Sequence, residues 1–428
     1  MNAYAAVILA VLVLSFLLGL IAEILNLRAL RDELPKEFVG VYDADDYRKS
    51  QEYTRVRTRF GFLASAFDLL IMLAFWFSGG FRYLDRILRN WNLNPILTGL
   101  AYIGILVALR SALSLPFSIY RTFVIEERFG FNKTTPRTYI TDIFKVLGLG
   151  VLLGAPLLSG VLAFFQYAGS AAWLYCWLVT TVFTLFMHFI APTWILPLFN
   201  KFVPLPDCEL RQAILSYAQS VRFPLKNIFV MDGSRRSSKA NAFFTGFGKN
   251  KRIALFDTLI QGHSVPGLIA ILAHEIGHYK KRHIIQAMVI SILHTGVMFY
   301  LLSIFISRRG LFEAFYLERT SIYAGLVFFG VLYSPVEMIL SVIMQICSRR
   351  NERQADRYAV ETTRDPDSLI QALKVLSRQN LSNLTPHPLY VYLNYSHPPI
   401  LERIRAIRRT KDEAFDDNRS LPEHESQR

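Results

Sequence analysis

The chain has 428 residues, 52% of them hydrophobic and 14% aromatic, and a mean hydropathy of +0.30; an ordinary soluble domain carries about 45 to 50% apolar residues even with glycine counted, so a water-soluble globule is excluded. The formal net charge of +14 would suit a nucleic-acid partner, but the basic residues flank apolar runs and are not gathered with base-stacking aromatics, so we expect no nucleic acid and assign the charge to anionic lipid headgroups. Cys176, Cys208 and Cys347 are widely separated and form no C-x-x-C pair, which speaks against disulfides and thiolate metal sites.

In chain order, apolar runs occupy Ala3 to Ala22, Phe60 to Phe77, Ile96 to Tyr120, Val146 to Phe165, Ala171 to Ala191, Ile284 to Ile306 and Ile322 to Cys347. Each reaches about 18 residues, enough to cross a bilayer, which predicts an α-helical polytopic membrane protein with about seven transmembrane helices. The first run has no basic segment before it and no small-residue cleavage site, and Arg28 and Arg31 follow it, so it reads as a retained anchor. Placing the N-terminus outside puts the basic stretches 27–59, 121–145, 200–282 and the C-terminal region on one side, the cytoplasmic side by the positive-inside rule. The opposite loops, 79–95, 166–170 and 307–320, still carry Arg82, Arg86, Arg89, Arg308, Arg309 and Arg319.

These runs divide the chain into a membrane region with five spans (1–199), a soluble insertion (200–283), two further spans (284–347), a second soluble segment (348–410) and a polar tail expected to be disordered (411–428). The two soluble segments must share one membrane face. In the insertion, Ile228-Phe229-Val230 and Ile253-Ala254-Leu255-Phe256 are β-like, and a hairpin-like stretch with glycines lies at 237–248 between them. An edge strand there could pair with an extended peptide, with Asn241, Ala242 and Phe243 as the holding positions. An ordinary exposed hairpin is an equal reading, and for Asn241 a turn-forming role is the simpler one.

Residues 274 to 278 read His274-Glu275-Ile276-Gly277-His278 in an apolar-periodic stretch, the H-E-x-x-H arrangement of a zinc peptidase helix. Histidines at i and i+4 share one helix face, so both can reach one zinc ion while Glu275 stands beside it. A catalytic zinc needs a third protein donor and an open position. Downstream, Glu352 and Asp356 share a face of a helical continuation of the seventh run; Glu352 can ligate, and Asp356 can accept the free ring N–H of a ligating histidine. The competing reading is a solvated charged helix paired with Arg349, Arg350 and Arg353, and spacing alone leaves Glu361 and Asp356 open as donors.

The chain resembles the integral-membrane CAAX prenyl endopeptidases, zinc proteases of the H-E-x-x-H type. The resemblance runs almost the full length, through Glu126 to Lys133, Ala191-Pro192 to Pro204-Leu205, Asn241 to Asp257, His274 to His278, Glu352 to Asp356, Asn380 to Leu384 and Tyr395-Ser396-His397-Pro398-Pro399. It implies one zinc ion held by His274, His278 and Glu352, with Glu275 as base. It also implies a ring of membrane helices around a hydrated chamber capped by a small α+β protease domain, and a peptide or prenylated protein as substrate. Asp68, Arg110, His188, His294 and Glu337 interrupt the apolar runs and suit such a chamber, although polar pairing between helices would also explain them. The resemblance places His397 near the zinc, where it would bind the substrate carbonyl or the oxyanion formed from it.

The expected reaction is zinc-assisted peptide hydrolysis with Glu275 moving the proton. The expected location is the cytoplasmic face of the endoplasmic reticulum in a eukaryote, or of the inner membrane in a bacterium. Two other readings stay open: a quality-control zinc protease of membrane proteins, and a transporter or scaffold with a structural zinc. The oligomeric state has no signal in the sequence.

Overall fold

The computed structural model describes residues 1–225, 227–245 and 252–416. Seven helical stretches are long and apolar enough to cross a membrane: Ala3–Arg28, Ala44–Phe77, Pro95–Glu126, Pro136–Tyr167, Gly169–Phe199, His283–Phe305 and Ile322–Thr363. Each expected apolar run coincides with one of them apart from its ends. Large side chains such as Leu14, Leu63, Val151, Leu152, Phe189 and Leu293 are exposed on these helices, the arrangement expected where lipid is the solvent. Pro156 and Pro192 sit beside or within one-turn π-helical segments, Gly150–Gly154 and Ala191–Ile195. A wider turn takes up the clash and the missing N–H that proline brings to a helix.

The chain divides into two compact units. The first comprises Met1–Ile24, Val56–Ala191 and Ala287–Ser341. Its core is aromatic: the Trp76 indole N–H donates to the Ala314 carbonyl at 2.8 Å, and Phe315 stacks on Phe328 with ring centroids 4.0 Å apart. The stretches 79–95 and 307–320, expected as loops, contain the helices Gly80–Asn90 and Arg309–Ala314. The first forms because Phe81, Asp85 and Leu88 bury one face of it. Asp85 is satisfied there, accepting from Tyr323 Oη at 2.5 Å and from Arg89 Nε at 2.7 Å, which offsets the cost of burying a carboxylate.

The second unit comprises Leu25–Arg55, Pro192–Gln286 and Val342–Arg428. Leu25–Arg55, which the sequence counts within the five-span region 1–199 and sets on the cytoplasmic side as a basic stretch, belongs to it. The reason is apolar burial: Phe38, Val41, Tyr42 and Tyr47 enter the same core as Leu210, Ile214, Leu272, Leu373 and Ile404. The sheet has the order β1-β2-β4-β3. Here β1 (Phe202–Pro204) runs antiparallel to β2 (Asn227–Met231), β2 parallel to β4 (Arg252–Phe256), and β3 (Ala242–Thr245) antiparallel to β4 with Phe243 opposite Ala254. The strand β3 therefore lies at an edge of the sheet, beside the helix Val265–Lys280. Gly246, Phe247 and Gly248 of the expected turn lie outside the described residues. The final helix, Ile400–Asp416, carries its order past residue 410, so 411–416 of the expected tail are helical; the rest of that tail lies outside the described residues.

Four helices surround the H-E-x-x-H segment or carry it. Val265–Lys280, which carries it, starts at an N-cap, Ser264, whose hydroxyl accepts from Gly267 N at 3.3 Å, with Pro266 in its first turn. It stops where Arg282 turns left-handed, at φ +60°. Pro366–Gln379, capped by Asp365, packs on it, with Ala372 beside Gly267. At Gly277 it meets Ile322–Thr363: a Cβ there would stand 3.1 Å from Ala355 Cα, 3.2 Å from its carbonyl oxygen and 3.2 Å from Tyr358 Cβ. Ile400–Asp416 completes the frame by burying Ile404 and Ile407. Gly277→Val should cost about 1 to 3 kcal/mol through overpacking against backbone, to be read as a lowered midpoint of thermal unfolding in detergent, with less metal retained by the folded fraction.

Candidate metal centre

His274 and His278 lie one turn apart on Val265–Lys280, and their Nε2 atoms are 3.1 Å from each other. Glu352, from Ile322–Thr363, presents Oε1 3.1 Å from His278 Nε2 and Oε2 3.3 Å from His274 Nε2. With Zn–N bonds of about 2.0 to 2.1 Å, tetrahedral geometry sets donors about 3.3 Å apart. The donor set thus has the spacing a tetrahedral cation requires. A further sign is Glu352 Oε2, which is buried and makes no well-formed hydrogen bond among the described residues, with His274 Nε2 at 3.3 Å and Arg403 Nη1 at 3.8 Å as its nearest charged or polar neighbours, a position that a bound cation would satisfy better. His274 and Glu352 are almost wholly buried, and His278 is partly so.

Outside these three, Asp356 Oδ1 accepts from His274 Nδ1 at 2.9 Å, which turns the Nε2 lone pair towards the shared point. Asp356 is held in turn by Arg403, whose Nε and Nη2 donate to its two oxygens at 2.9 and 2.6 Å, a bidentate fork. His278 has its own support: Gln354 Oε1 accepts from His283 Nε2 at 2.9 Å, leaving His283 Nδ1 to accept from His278 Nδ1 at 3.0 Å. That order of protons frees His278 Nε2 as a donor atom. Arg403, His283 and Gln354 were not singled out in the sequence. Arg403 had a signal, since it sits among Ile400, Ile404 and Ile407 on the apolar face of an otherwise amphipathic helix, where an arginine needs a buried partner.

Glu275 stands between the two histidines in sequence and is partly buried; burial raises its carboxyl above the usual carboxylate range, against the charges of His274 and His278, which lower it. His397 comes from the loop after Pro388–Asn394 and brings Nε2 to 3.3 Å from Glu352 Oε1. Glu361 is turned away and paired with Arg357 at 2.7 Å. Asn241 spends its side-chain oxygen locally, Oδ1 accepting from Ala242 N at 2.9 Å. Ala242 and Phe243 lie on the edge strand β3.

Family models match nearly all of the chain. Residues 23–201 match the CAAX prenyl protease N-terminal region, described as five membrane helices, and residues 204–411 match peptidase family M48. The CAAX prenyl protease 1 homologue of Arabidopsis thaliana is 37% identical over 382 residues, covering 87% of this chain and 90% of the relative. CAAX prenyl protease 1 of Saccharomyces cerevisiae is 35% identical over 402 residues, covering 88% of each chain. The crystal structure of S. mikatae Ste24p superposes with a TM-score of 0.90 at 33% identity, covering 95% of this chain and 99% of that one. The chain belongs to the CAAX prenyl protease 1 family.

The peptidase is therefore a multi-pass membrane metalloendopeptidase of family M48, and the transporter or scaffold reading is set aside. Membership of M48 implies a metal, and the His274, His278 and Glu352 donors fit one.

Without bound metal, burial pulls the His274 ring down, but the neighbouring carboxylates of Asp356 and Glu352 outweigh this and push it up to about 9. A raised histidine stabilises the metal-free fold fully below its unfolded value of about 6.5, and that contribution is lost as pH rises through about 9. Metal must displace this proton, so apparent zinc affinity should fall by about tenfold per pH unit below pH 9, measurable by competition with a chelator of known affinity. His283→Ala and Asp356→Asn should each weaken zinc binding by about 10- to 100-fold while leaving the helical content by circular dichroism unchanged.

Proposed function

We propose that the metal is a single zinc ion held by His274, His278 and Glu352, and that the peptidase cleaves near the C-terminus of prenylated proteins, a reading supported by relatives named CAAX prenyl protease 1. The observation that carries the reading is the convergence of the three donors on one point, with Glu275 next to His274 on the same helix. Bound there, zinc would supply Lewis-acid polarisation of the scissile carbonyl and acidify a water.

The protein's residues do the remainder. Glu275 takes the proton of the attacking water and returns it to the leaving amine; burial lifts its carboxyl towards the working pH, which suits a group that must both accept and release a proton. His397, whose Nε2 lies 3.3 Å from Glu352 Oε1, would donate an N–H to the carbonyl oxygen as negative charge builds on it. The edge strand β3 offers backbone groups to an extended substrate in a sequence-tolerant way, with Ala242 and Phe243 as the pairing positions. Asn241 precedes that edge, with its Oδ1 accepting from Ala242 N.

The exposed pair Asp68–Arg110 at 3.8 Å and the polar group of His294, Tyr333 and Glu337 support a water-accessible interior among the membrane helices, because charges turned to lipid cost several kcal/mol. The positive-inside pattern supports a cytoplasmic protease face, on the endoplasmic reticulum in a eukaryote or the inner membrane in a bacterium.

The deciding assay compares a farnesylated CAAX peptide with its unprenylated form, for wild type and Glu275→Gln. The variant should bind zinc stoichiometrically yet lose about 10²- to 10⁴-fold in kcat. Cleavage that depends on the prenyl group upholds the substrate assignment. Equal cleavage of both peptides would keep the chemistry and favour a quality-control peptidase.

A further inference from the structure

The helix Ile400–Asp416 and the helix Ile322–Thr363 enclose a cavity of about 300 Å³ whose wall carries four guanidinium groups, those of Arg353, Arg403, Arg405 and Arg409. One carboxylate, Glu402, shares that wall. Two of the four are committed elsewhere: Arg403 is forked onto Asp356, and Arg405 lies 3.3 Å from Glu37. Among the described residues Arg353 and Arg409 have no ion-pair partner. Arg405 and Arg409 also stand one turn apart on the same helix, a like-charge pairing that destabilises a helix in isolation. Pro398 and Ala406 complete the wall and offer no side-chain group that could satisfy the arginines.

A concave site lined by one sign of charge concentrates its field and draws a counter-ion. The planar fork of arginine matches the oxygens of a phosphate better than it matches a simple halide. We infer that this cavity is a binding site for a phosphate-type anion, held by Arg353 and Arg409.

Two sources of that chemistry reach it. Arg353 lies about 9 Å along the helix beyond Cys347, the last residue of the apolar run, and a headgroup layer is about 5 to 8 Å deep on each side of the hydrocarbon core. The cavity is thus at the outer margin of the headgroup layer, open to the phosphate of a lipid headgroup or to a phosphate group in solution.

The test uses the zinc-loaded full chain in detergent, titrated with inorganic phosphate in an isothermal calorimeter at constant ionic strength. Wild type should show one saturable site. The double variant Arg353→Gln with Arg409→Gln should bind about tenfold more weakly or worse, while its zinc content and its unfolding midpoint in phosphate-free buffer match wild type. The pair Arg353→Lys with Arg409→Lys, which keeps charge but not the fork, should fall between the two. Repeating the titration in nanodiscs of phosphatidylcholine, with and without about one phosphatidylinositol phosphate in ten lipids, separates the sources. Loss of phosphate binding only with the anionic lipid assigns the site to a headgroup, and unchanged binding assigns it to a dissolved phosphate. Absence of saturable binding in detergent and discs alike, or a Gln double variant that binds as wild type does, overturns the inference.

Discussion

The contact on which the second unit depends is the approach of Val265–Lys280 to Ile322–Thr363 at Gly277 and Ala355. Two helices whose side chains interdigitate normally hold their axes about 8 to 10 Å apart. A glycine facing an alanine permits the near end of that range. Only then does Glu352, one turn from Asp356, reach the two imidazoles, and only then can Asp356 accept the proton on the far side of His274. A single missing side chain therefore fixes both the donor spacing and its support.

Burying two carboxylates and two imidazoles within one turn of each other is unfavourable unless every charge is answered. Asp356 is answered in full, by His274 on one side and the Arg403 fork on the other. Glu352 is answered in part, since one of its oxygens lacks a hydrogen bond among the described residues. The imbalance falls on the group that faces the shared point and not on the group behind it, since Arg403 forks onto Asp356 but reaches Glu352 Oε2 only at 3.8 Å. His283 and Gln354 extend the same logic to His278, where the need is not charge but the right tautomer.

Much of this could be read from the sequence, and the reasons differ by element. The seven spans are legible because length and apolarity alone specify them. His274 and His278 are legible because a helix places i and i+4 together. Glu352 is preferred to Glu361 where spacing and family resemblance agree, and Glu361 is in fact paired with Arg357. The helix Gly80–Asn90 was hidden by its many polar residues, of which Asp85 satisfies Arg89, and Tyr323 from a distant helix, only after folding. Leu25–Arg55 could be set on the cytoplasmic side from its charge, but its aromatic residues carry no period that says which core they enter. Arg403 and His283 act through contacts between residues far apart in the chain, which no local pattern encodes.

The dispersal of the centre over the chain has a consequence for how the molecule is made. Its two histidines leave the ribosome well before Glu352, and Glu352 before His397 and Arg403. A nascent peptidase can assemble all three metal donors once Glu352 has emerged, but it lacks His397 and the arginine that steadies Asp356 until the segment around Ile400–Asp416 has been synthesised and docked. Proteolytic competence is thereby deferred to the end of assembly, which keeps a half-built membrane protease from cutting its neighbours, or itself, during insertion.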